Sequence, residues 1–155
     1  MDLVIKLYSM DYGIAKFFHL IGIFIWVSAS SSLGLFILYS MRAETGCNQD
    51  VLRRFYRWLT NLEIAGFVLA IFMGLYMLHL LKYKFDIAWL NYKLPMVFGF
   101  ILPLEIINFW FVNVYIPKAK DRLKAYKRYD LFNYIIAIPL IAVSLAVIYL
   151  AVVKP

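Results

Sequence analysis

Cysteine is nearly absent from this chain. Cys47 is the only one, which excludes an internal disulfide and any thiolate metal cluster built within a single chain. Histidine is almost as scarce, with His19 and His79 alone, and nine acidic residues face sixteen lysines and arginines. There is no glycine-rich nucleotide loop, no acyl-transfer triad and no zinc-protease pair of histidines, which argues against hydrolytic chemistry. Long linkers and low-complexity segments are also missing. The six methionines are dispersed, so they read as packing rather than as a copper relay.

What is present is apolar. Of 155 residues, 65% are hydrophobic and 16% charged, and the hydrophobic ones gather in four blocks, at about 13–39, 61–81, 94–115 and 131–153. A block of about twenty residues, rising about 1.5 Å each as a helix, matches a hydrocarbon core about 30 Å thick, and a helix keeps its backbone hydrogen bonds internal. The expected fold is therefore all-α: one domain over 1–155, an integral membrane antiparallel four-helix bundle in contact with the lipid bilayer. The run Val27-Ser28-Ala29-Ser30-Ser31-Ser32 has the small residues of a signal-peptidase site, but the apolar stretch continues through Leu33 to Leu38, so it reads as part of the first span.

The net charge of +7 lies in the segments between blocks rather than on one continuous face, so it reads as topology control, with no nucleic-acid partner. Arg42, Arg53, Arg54 and Arg57 fall in a loop expected over Met41–Thr60, where Asp50 is a candidate cap for a short amphipathic helix. Lys118, Lys120, Arg122, Lys124, Lys127 and Arg128 fall in the second long loop. With ten basic residues there and six elsewhere, the positive-inside rule places both termini outside the cell inner membrane. His19, His79, Lys16 and Lys93 then lie toward one, outer, side.

Ionisable groups inside a bilayer are costly enough to be functional candidates. His19 and His79 differ in expected depth by about 5 Å at helical rise, which side chains can absorb. His19 shares its face with Gly22, Trp26, Ser30 and Leu33, a surface small enough for a flat macrocycle, and Tyr76 lies one turn before His79. Two imidazoles from neighbouring helices are a suitable axial pair for the iron of haem b, and Lys16, Lys82, Lys84 and Lys93 are placed to meet its propionates. The plain alternative is that small residues pack helices, the histidines bond carbonyls and the lysines snorkel. Copper has a thinner ligand set in two histidines without a nearby acid or cysteine.

The third span carries Pro103, where a kink is expected, followed by Glu105 and Asn108. Glu105 at mid-bilayer is expected neutral, either as a proton relay or hydrogen-bond donor to quinone or porphyrin, or simply bonded to Asn108, Ser30 or a carbonyl freed by Pro103. Glu63 is expected near the water at the end of the second span.

Several of these residues resemble the HemJ-type protoporphyrinogen oxidase family of small bacterial membrane proteins, within a wider set that includes CopD-like proteins. Lys16, His19 and Trp26 resemble its first-helix pattern, Trp89-Leu90-Asn91-Tyr92-Lys93-Leu94 the start of its third helix, and Ile138-Pro139 with Val152-Val153-Lys154-Pro155 its last. The resemblance implies a haem-binding membrane protein that oxidises protoporphyrinogen IX, with His19 and Lys93 important. The chain departs from the family where Ile37-Leu38-Tyr39-Ser40 replace a Pro-Arg and Tyr-His ending, and where Leu104 and Glu105 replace a third-helix histidine. The expected function is thus membrane haem chemistry, either electron transfer with quinone or a redox partner protein, or porphyrin oxidation through Lys93 and Glu105. The competing readings are a non-redox helical subunit, in a homo-oligomer or larger complex, and a copper-handling protein.

Overall fold

A computed structural model of the chain describes the backbone of residues 2–42, 49–80, 82 and 87–153, and the side chains of residues 11–36, 53–80, 82 and 87–153. The described structure is helical, with no strand among the described residues: α1 (Asp2–Arg42), α2 (Gln49–Leu80), α3 (Ala88–Lys118) and α4 (Arg122–Val153). Each helix has a stretch long and apolar enough to cross a membrane: Asp11–Phe36, Arg53–Leu80, and the whole of α3 and of α4. Cys47 and Lys84 lie outside the described residues.

The second helix corrects one expectation. Instead of a loop reaching Thr60 with a short capped helix inside it, α2 runs unbroken from Gln49, and Asp50 sits within it. Arginines do not end this helix because they find partners across it. The Arg53 guanidinium donates to both oxygens of Asp130 on α4, at 2.8 and 2.7 Å, and Arg57 donates to Asn113 on α3 at 3.4 and 3.2 Å. The α2 terminus is marked by Lys82, whose φ of 47° is left-handed and whose backbone N–H reaches the His79 carbonyl at 3.2 Å.

Helices α1 and α2 run in opposite directions in close contact. On α1, Ala15, Gly22 and Ala29 recur every seven residues and are all buried, while Gly66, Ala70 and Gly74 recur every four on α2. Such small residues let two backbones approach, and close van der Waals packing of this kind is what joins apolar helices where no hydrophobic drive acts between them. A Cβ on Gly22 would lie 2.6 Å from the Ala70 nitrogen, and one on Gly66 would lie 2.8 Å from the Trp26 nitrogen. Backbone therefore fills the space that larger side chains would need.

Helix α3 contains two π-helical turns, Val97–Ile101 and Phe111–Tyr115, each ending two residues before a proline, Pro103 or Pro117. In each the next N–H bonds five residues back, Leu102 to Val97 and Ile116 to Phe111. Proline cannot donate to the ladder, and a wider turn ahead of it is the accommodation found here to the kink expected at Pro103. On α4, Ile135, Ile138, Ile141, Leu145, Tyr149 and Val152 form an exposed apolar stripe. A stripe of that length facing outward suits hydrocarbon rather than water.

Two apolar clusters fill the interior. Trp26, Phe67 and Ile101 form one, with Leu140, Val143 and Val147 of α4 packed on it. Tyr56, Leu59, Val112, Ile116, Ala125 and Tyr129 belong to the other, near the Arg53–Asp130 end.

Candidate functional site

A cleft of about 190 Å³ lies above the Trp26 cluster, lined by His19 and Trp26 of α1, Gly74 of α2, and Trp89 and Lys93 of α3, among others. Its lining is mostly apolar, and Leu75, Phe98 and Ile148 on its rim are exposed, so it opens at the surface of the helices. Typical ligand pockets begin at roughly 300 Å³, so a cleft of this size takes part of a flat ring and leaves the rest outside it.

His19 is anchored by the close approach of α1 and α2. Its Nδ1 lies 2.6 Å from the Ala70 carbonyl, so Nδ1 carries the proton and donates. Its ring rests on Gly74, where a Cβ would come within 3.2 Å of Cε1. That bond fixes the tautomer and leaves Nε2 basic and without a hydrogen bond among the described residues. A carbonyl holding one ring nitrogen in this way is the usual support for a metal-ligating imidazole, and equally satisfies a buried histidine that binds nothing.

Lys93 lines the same cleft as His19, and its Nζ lies 6.0 Å from the centre of the Trp89 ring. Among the described residues it has no carboxylate partner. Contact with an indole face compensates an ammonium only in part.

Below the cleft a polar network occupies the centre of the four helices. The Trp26 indole N–H donates to Glu105 Oε1 at 2.8 Å, so the residue that floors the cleft also holds a carboxyl. Glu63 accepts from the Ser30 hydroxyl, and from Asn108 Nδ2 at 3.3 Å. The Tyr129 hydroxyl donates to Asn108 Oδ1. Glu63 and Glu105 are 3% and 5% exposed, and Glu105 Oε2 is buried with no hydrogen-bond partner among the described residues.

The structure thus brings together His19, Trp26, Lys93 and Glu105 from the residues singled out in sequence. It leaves His79, Tyr76 and Lys16 outside. On α2, Gly74 marks the direction of His19, and His79, five residues on, points about 140° away, exposed and off the cleft lining. Tyr76 and Lys16 are exposed too, as is Lys82. Gly22 is placed differently from expectation: the face it shares with Trp26 meets α2 backbone, so no flat ligand lies along it. Of the groups that would hold haem, a fixed imidazole and a propionate-seeking amine fit the cleft, while a second imidazole does not.

Glu63 is the residue that sequence reasoning misplaced. The expectation of water contact followed from starting the second span near residue 61, whereas α2 begins twelve residues earlier, at Gln49. The signal was Tyr56, Thr60 and Glu63 at helical spacing on one buried face. Among the described residues no group of three or more His, Cys, Asp or Glu stands placed to hold a metal ion. No protein-family model, curated protein or solved structure matches the chain.

Proposed function

We propose that the protein is an antiparallel four-helix bundle inserted in the cell inner membrane with both termini outside, and that its outer cleft binds haem b for membrane redox chemistry. The observation that carries this reading is Lys93: an amine within an apolar cleft, beside a tautomer-fixed imidazole, with no carboxylate of its own among the described residues. A ligand that is flat, largely apolar and acidic at one edge supplies what each of these groups lacks. Haem b, when bound, supplies one-electron chemistry. The chain's own residues then divide the work: His19 Nε2 is the one nitrogen offered to iron, Lys93 holds a propionate, and Trp26 keeps Glu105 positioned beneath the cleft. Glu105, with one oxygen uncommitted, is the proton-holding group, and Glu63 and Asn108 hold its surroundings. Quinone or a redox partner protein is the expected electron partner.

A second reading is favoured by the exposed position of His79: a tetrapyrrole without iron, such as protoporphyrinogen, needs the lysine and the apolar cleft but no axial pair. One experiment separates them. The protein purified in mild detergent should show a b-type band in a reduced-minus-oxidised spectrum, lost in His19→Ala, weakened in Lys93→Ala and retained in His79→Ala. A band lost equally in His79→Ala would restore a bis-histidine site and refute this cleft. No band in the intact protein, with protoporphyrin fluorescence quenched on addition, would favour the second reading.

A further inference from the structure

At the opposite end of the helices from the cleft, α2, α3 and α4 enclose a pocket of about 250 Å³. Four arginines line it, Arg53, Arg54 and Arg57 from α2 and Arg122 from the first turn of α4, over a floor that includes Val112 and Ile116. The lining contains no carboxylate. Asp130 neutralises Arg53 through the paired bonds already described, and Arg57 gives only its Nε and one Nη2 donor to the uncharged Asn113 oxygen, which leaves its remaining N–H groups free and its charge without a carboxylate partner among the described residues. Arg54 and Arg122 have no partner among the described residues. Three guanidiniums without a carboxylate partner among the described residues thus face one concavity, where like charges brought together favour an anion between them.

An arginine at a helix end needs no ligand to be explained, since basic residues set topology. Topology alone, however, is satisfied by charges anywhere in these segments, and Lys118, Lys120, Lys124 and Lys127 are present outside the pocket. What topology does not require is convergence from two helices on one enclosed volume. The planar forks of arginine match phosphate oxygens two at a time, which a lysine cannot do. Arg53 and Arg122 also begin the apolar stretches of their helices, so the pocket lies at the depth of lipid head groups rather than in the loops.

We propose that this pocket binds a phosphate group, with Arg54, Arg57 and Arg122 as its donors. The source is either the head group of an anionic phospholipid or a free phosphate compound. Binding there clips α2 to α4 at the end where the Arg53–Asp130 pair already joins them, and it is independent of what occupies the cleft.

The test compares a pair of pocket arginines with a pair of outside lysines. The detergent-solubilised protein is titrated with short-chain phosphatidylglycerol, with phosphatidylcholine and with inorganic phosphate, and bound ligand is read by native mass spectrometry and by the shift in melting temperature. Arg54→Gln/Arg122→Gln should weaken phosphatidylglycerol binding about tenfold or more, since each loses a charge-assisted bond. Lys120→Gln/Lys124→Gln, removing the same charge, should change it little. Competition by inorganic phosphate assigns the site to the phosphate itself, and its absence assigns it to the whole head group; both support the pocket. Equal weakening in the two double variants, or equal retention of phosphatidylcholine and phosphatidylglycerol, would overturn it. Both residues in the arginine variant are exposed and without a partner among the described residues, so the fold survives the change.

Discussion

Replacing Gly22 by alanine tests whether α1 and α2 are held by backbone contact. The added methyl would sit 2.6 Å from the Ala70 nitrogen and 2.8 Å from the Gly66 carbonyl oxygen, and neither atom belongs to a side chain that can turn away. Reaching an ordinary contact of 3.4 Å needs the helices to part by about 0.8 Å at this point. The His19–Ala70 bond spans the same gap at 2.6 Å, and the same displacement would stretch it to about 3.4 Å, past normal hydrogen-bond length. Overpacking costs about 1–3 kcal/mol and the lost bond about 0.5–1.5 kcal/mol. The better helix propensity of alanine returns up to about 1 kcal/mol. The net loss of about 1–3 kcal/mol raises the unfolded fraction roughly 5- to 150-fold. Gly34→Ala is the matched control, because a methyl there meets nothing within 4 Å and should be neutral or mildly stabilising. Unfolding is followed by circular dichroism as the mole fraction of a denaturing detergent rises. If both variants unfold at the same detergent fraction, backbone contact does not hold this pair.

Trp26→Phe keeps the aromatic bulk against Phe67 but removes the one donor to Glu105, leaving both carboxyl oxygens buried without a partner, and should cost about 1–3 kcal/mol in the same unfolding assay. Loss of less than half a kcal/mol would mean that the indole bond contributes nothing. Arg53→Leu strands Asp130 in a site where the two side chains are 13% and 14% exposed, short of full burial, so a loss of about 1–3 kcal/mol is expected, below the 3–5 kcal/mol of a fully buried pair. The double variant with Asp130→Leu should recover most of it, and failure to recover would assign the loss to Arg53 packing on Tyr126, whose ring centre lies 4.6 Å away.

Four spans were legible because block length and apolarity are local properties, and the four long helices follow the four blocks. Their ends were less so. Arg53, Arg54 and Arg57 look like loop residues by charge, and the partners that Arg53 and Arg57 find on other helices, Asp130 and Asn113, are not visible in the sequence. The face of α1 containing Gly22, Trp26 and Ser30 was visible as a stripe at helical spacing, but spacing does not say what a stripe meets. Here it meets α2, and the open space lies toward α3 instead. The two histidines looked equivalent by depth. Depth ignores rotation about the helix axis, and the 140° between Gly74 and His79 separates one histidine from the other's site. The Glu63–Asn108–Tyr129 chain is a product of three helices, and the spacing within α2 marks Glu63 as buried without naming its partners.

That chain also bears on why the helices keep one register. Between apolar helices in lipid, sliding by a turn exchanges one set of van der Waals contacts for another of similar worth. The central network does not permit this exchange. It takes Trp26 and Ser30 from α1, Glu63 from α2, Glu105 and Asn108 from α3 and Tyr129 from α4, so a shift of any helix by a turn strands a buried polar group. Within it the Asn108 amide joins two helices to its own, donating to Glu63 and accepting from Tyr129. Glu105 Oε2, without a hydrogen-bond partner among the described residues, lies on the carboxyl held by Trp26, the side chain that the network shares with the cleft. Leucine at that position would remove the unpartnered oxygen, but it would also release the buried Trp26 indole N–H and with it one of the bonds that fix the register of α1 against α3.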